Sequence, residues 1–121
     1  MTFMQVQTLL SSKCGTMCHG GMPHMSFQAM AGGTTLHSRL TTPIPAANNR
    51  ECVGSTLVVP NDAANSLLVK IVKGATTCMN NGSMQNIPRM PNMCGSGATQ
   101  CLTAAEIKII EDWVTAGAKA M

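Results

Sequence analysis

The stretch "KCGTMCHGGMPHM", Lys13 to Met25, decides how the rest of the chain is read. In thirteen residues it places Cys14, Met17, Cys18, His19, Met22, His24 and Met25 in that order. Thiolates, imidazoles and thioethers are soft or borderline ligands, so a bound metal, a prosthetic group and a disulfide all compete for them.

Haem held through thioethers needs two cysteine thiols to add across its vinyl groups, with a histidine directly after the second to reach the iron. The usual spacing is Cys-x-x-Cys-His; Cys14 to His19 reads Cys-x-x-x-Cys-His, one residue longer. The part that sets iron ligation, Cys18-His19, is intact, and the longer loop to Cys14 contains Gly15. Zinc wants four nitrogen or sulfur ligands in a closed tetrahedron. Cys14, Cys18 and His19 supply three, with no second paired cluster to complete them. Copper has the better claim of the two, through Met17, His19, Met22, His24 and Met25. The plainer reading of scattered methionines is core filling, and it applies to Met4, Met22, Met25, Met30 and Met79.

Outward from this motif, 121 residues make one domain over 1–121. Its core looks thin: Phe3, Phe27 and Trp113 are the aromatic residues, while methionine occurs 11 times. A large rigid apolar body from outside the sequence would help to fill it. Charged residues are 11% of the chain, the formal balance is +3, and no basic run or aromatic array suits nucleic acid. No apolar run reaches the roughly 18 residues that suggest a membrane span. Six cysteines in a short chain point to an oxidising compartment, a metal, or both. The opening "MTFMQVQTLL" lacks the basic and long apolar regions of a signal peptide, so the chain reads as the mature form of an exported protein, periplasmic or extracellular.

Phe3, Val6, Leu9 and Leu10 are spaced for a short helix that leads into the cysteine motif. Residues 20–49 read as loop. "TLVVPNDAANSLLVKIVKG" reads as an extended segment stopped by Pro60, a turn over 61–65, and a helix from about Ser66 to Gly74 that buries Leu67, Leu68, Ile71 and Val72. Residues 75–102 read as irregular. In "TAAEIKIIEDWVTAGA" a capping box of Thr103 and Glu106, a face of Ile107, Ile110, Trp113 and Val114, and a stop at Gly117 specify a packed helix.

A haem that carries electrons needs a second axial ligand. The best placed is Met90 in "IPRMPNM", between Pro88 and Pro91; Met93, His24 and His37 are its rivals. Methionine opposite histidine would raise the reduction potential relative to two histidines.

Taken together, "LLSSKCGTMCHGG", "TLVVPNDAANSLLVKIVKG", "RMP" and "LTAAEIKIIEDWVTAGA" resemble the monohaem cytochrome c domains common in planctomycetes and deltaproteobacteria. Those domains carry Cys-x(2–4)-Cys-His-Gly, a Val-Val-Pro turn, Met-Pro and a helix ending Trp-x-x-x-Gly-Ala, in the order found here and over nearly the whole chain. The resemblance implies a mostly α cytochrome c fold, with three or more short helices and long loops around one covalently bound haem c. It implies His19 and Met90 as axial ligands, Cys14 and Cys18 as thioether anchors, Trp113 packed against the haem region, and the C-terminal helix crossing the N-terminal one. The three-residue spacing departs from both the two-residue and the four-residue form, which leaves open attachment through both cysteines or through Cys18 alone.

The other four cysteines have three pairings. Cys94 and Cys101 enclose the short glycine-rich loop "GSGATQ", which favours Cys94–Cys101 with Cys52–Cys78; the alternative is a free pair or a link between chains. Five acidic residues, three of them (Glu106, Glu111, Asp112) on one helix, leave little acid-base machinery, so an enzyme is not expected. The expected function is single-electron transfer between redox-partner proteins. The rivals are a Met/His-rich copper-binding protein and, more weakly, a disulfide-stapled structural module that assembles with itself.

Overall fold

A computed structural model describes residues 2–13, 30–31, 34–45, 52–90 and 101–120. The elements are α1 (Phe3–Lys13), a two-residue ladder β1 (Met30–Ala31) and β2 (Thr34–Thr35), α2 (Leu36–Thr41), a 3₁₀ turn (Ala63–Asn65), α3 (Leu67–Lys73), β3 (Thr76–Asn80), β4 (Ser83–Ile87) and α4 (Ala104–Thr115). β1 pairs antiparallel with β2, and β3 with β4.

The helices follow their apolar spacing. α1 buries Phe3, Val6, Leu9 and Leu10; α4 buries Ile107, Ile110, Trp113 and Val114; and the two helices pack together. Thr103 and Glu106 complete the capping box at the start of α4. At its end, Ala118 N–H donates to Trp113 O and Gly117 N–H to Val114 O, with Gly117 at φ 110°, the paired bonds of a Schellman stop. α3 buries Leu67, Leu68, Val69, Ile71 and Val72.

Ser66, fully buried before α3, accepts from Val59 N–H and donates to Asp62 O through its hydroxyl. That satisfies a polar group which would otherwise be costly inside a core. Residues 56–59 join no sheet. Val58 N–H bonds Leu40 O, and Leu68 N–H bonds Leu57 O, which threads the segment between α2 and α3.

The fold is mixed α and β, not the mostly α cytochrome c fold expected from the sequence. Two parts of the chain make the difference. Within 20–49, read as loop, Thr35 accepts from Ser38 N–H and starts α2, which buries Leu36 and Leu40. Within 75–102, read as irregular, β3 and β4 form a hairpin closed by Asn81 and Gly82, at φ 52° and 85°. Both central residues are left-handed, as a two-residue turn that matches strand twist requires, and Asn-Gly is the pair that best tolerates it.

Among the described residues Trp113, Leu10, Leu36, Leu40, Ile110, Val6, Val58, Val72 and Val114 are the largest fully enclosed hydrophobic side chains of the core. Methionine does little of this filling, since Met4 and Met79 are exposed, and so is Met84. Met22 and Met25 lie outside the described residues.

Candidate metal centre

Of the expected ligands, Met90 and His37 lie in described segments. Cys14, Cys18, His19, His24 and Met93 lie outside them, as do Met17 and Cys94. α1 runs to Lys13, so the residue that follows its last turn is Cys14. α1 itself is anchored to the core, packed on α4 through its apolar face.

Met90 is held by the end of α3. A helix leaves its last four carbonyls without intrahelical partners. In α3, Lys70 O takes Gly74 N–H at 3.1 Å, Ile71 O takes Met90 N–H at 3.0 Å, and Val72 O takes Arg89 Nε–H at 3.2 Å. Two successive residues of the loop therefore cap two successive carbonyls of the helix. The guanidinium also lies at the negative end of the helix dipole, where a cation is favoured. The Met90 side chain is partly buried and packs on the edge of the core.

From the other side the same loop is delivered by β4, whose last residue, Ile87, is buried. The hairpin is fastened to residues 52–55 at several points. Cys52 N–H donates to Gln85 Oε1, Val53 N–H to Asn80 Oδ1, Asn81 N–H to Val53 O, and the Ser55 hydroxyl to Met79 O. A disulfide joins Cys52 to Cys78, with Cα atoms 5.6 Å apart, as the preferred pairing anticipates. Cys101 is also disulfide-bonded. Its partner lies outside the described residues, and so does the expected Cys94–Cys101 bridge.

His37 has a different engagement. Its ring stands edge-on to Phe3, with centroids 5.4 Å apart, and its Nε2 lies 2.7 Å from Ala118 O. A carbonyl can only accept, so Nε2 carries the proton, and the lone pair left on the ring is that of Nδ1. Trp113 is likewise committed to the core: its ring tilts against Phe3 at 5.3 Å, and its Nε1–H donates to Lys119 O at 2.8 Å. Together His37 and Trp113 hold the residues after α4.

Among the described residues no group of three or more His, Cys, Asp and Glu side chains could hold a metal ion. None of the described helices is long and apolar enough to cross a membrane. The ion pair between Lys73 and Glu111, 3.0 Å apart, links the end of α3 to α4 at the surface.

Sequence reasoning singled out Met90 by its place between Pro88 and Pro91 and overlooked Arg89. The missed signal is positional: an arginine two residues after a buried strand end, within reach of a helix that stops at Gly74. The hairpin had a clearer one in Asn81-Gly82. Comparison of the chain with protein-family models, curated proteins and solved structures yields no match.

Proposed function

We propose that the protein is an exported monohaem c-type electron carrier, with Cys14 and Cys18 as covalent anchors, His19 as one axial ligand and Met90 as the other. The observation that carries this reading is the fastening of Met90. Its amide and the preceding guanidinium are bound to consecutive carbonyls of α3, which leaves the thioether on a fixed backbone at the edge of the core. A methionine serving only as filler needs no such support, and Met4, Met79 and Met84 have no comparable enclosure.

Bound haem supplies one-electron Fe(II)/Fe(III) chemistry. The chain's part is to keep the ligand sulfur still, so that the two oxidation states differ little in geometry. The reading sets the haem against Met90, at the margin of the described core. A position at the margin also suits electron exchange with partner proteins, which needs a haem edge close to the surface. Export to the periplasm or beyond agrees with the disulfides, which persist in oxidising compartments.

The test is the absorption spectrum of the protein made in a cell that exports and haem-loads it. A sharp α-band on reduction, and colour that stays with the polypeptide through acid-acetone extraction, are expected. A colourless protein, or one that binds copper instead, overturns the reading. Met90→Ala should remove the weak far-red sulfur-to-iron(III) band; its survival assigns the second ligand elsewhere.

A further inference from the structure

We infer that Arg89 is the positioning residue for Met90, and that its clamp on α3 keeps the thioether bound through the redox cycle; this rests on the ligand role proposed above. Three facts lead to it. Arg89 Nε–H reaches Val72 O at 3.2 Å while Met90 N–H reaches Ile71 O at 3.0 Å, so the loop is held at two points one residue apart. Two such points restrict rotation of the backbone that carries the sulfur, where one would leave a pivot. The bond from Arg89 is charge-assisted, and it ends on a carbonyl that the helix itself leaves unpaired.

The rest of the loop's support is indirect. Pro88 has no N–H to contribute, and the nearest fastening on the strand side is buried Ile87. The hairpin brings the chain to α3, and Arg89 sets where Met90 stops. Arg89 is only half-buried and lies outside the apolar cluster, so its replacement should leave global stability nearly unchanged.

The experiment compares Arg89→Ala, Arg89→Gln and Arg89→Lys in the haem-loaded protein, with two readouts. Amide hydrogen exchange at Met90 should accelerate about tenfold or more in Arg89→Ala, the order expected for losing a hydrogen bond from a charged donor, while exchange within α4 stays as it was. The far-red sulfur-to-iron(III) band should weaken in Arg89→Ala and Arg89→Gln and recover at least partly in Arg89→Lys, whose ammonium can still donate to Val72 O. An unchanged exchange rate at Met90, with the band intact, overturns the inference and leaves Met90 ligation standing. A wild-type protein without the band, or Met90→Ala with it, overturns the ligation itself and reduces Arg89 to a cap on α3.

Discussion

The β3–β4 hairpin ends just before the Met90 loop in sequence and α4 begins well after it, at Ala104, and the two keep their shape by opposite means. α4 buries four apolar side chains on one face and carries a capping box and a Schellman stop. Within the two five-residue strands of the hairpin, Cys78 and Ile87 are the buried residues. The hairpin persists through a tight turn, a disulfide and side-chain bonds to the loop at 52–55. Non-directional burial writes a period into the sequence. Directional fastening writes only isolated residues.

If that contrast is right, the largest loss should come from the apolar side. Trp113→Ala removes the largest enclosed side chain together with its contacts to Phe3 and His37, and should cost about 3–5 kcal/mol in denaturant unfolding. A loss below about 1 kcal/mol would mean that the core can be refilled from elsewhere.

The hairpin should break at its covalent link. Replacing Cys52 and Cys78 together by alanine opens a loop with a sequence separation of 26, worth roughly 3–4 kcal/mol. Hydrogen exchange should rise first in β3 and β4, while α4 keeps its protection. Equal loss of protection in both would show the two regions to be one cooperative unit and would erase the distinction.

Smaller changes sharpen the comparison. Gly82→Ala meets no atom within 4 Å of the added Cβ, so its cost is that of the backbone alone at φ 85°, roughly 1–2 kcal/mol. It should loosen the hairpin and leave the helical signal of α4 in place. Thr103→Ala removes the α4 cap and should cost about 1 kcal/mol, read as a lower unfolding midpoint with the hairpin unaffected.

The legible part of the candidate site follows the same division. Met90 stood out because, among many methionines, this one lies between two prolines. Arg89 did not, because an arginine in a loop has no period and its partner, Val72 O, belongs to a helix 17 residues earlier. His37 was a rival for iron in the sequence, and in the structure its ring lies against Phe3 and Trp113 with Nε2 on a carbonyl near the far end of the chain. Imidazole suits a metal, a core and a carbonyl alike, and composition does not choose among them.

By itself the sequence determined three helices, the caps of α4, the buried faces of α1, α3 and α4, and a preferred disulfide that is present. Each is specified locally, by residues a turn apart or by the scarcity of cysteine. Only the tertiary structure decided that α2 and the hairpin exist, that the Trp113 and His37 rings bond carbonyls after α4, and that α3 is capped by the loop carrying Met90. Those outcomes depend on which distant carbonyl or ring comes within reach of a polar side chain, and that is known only once the chain has closed.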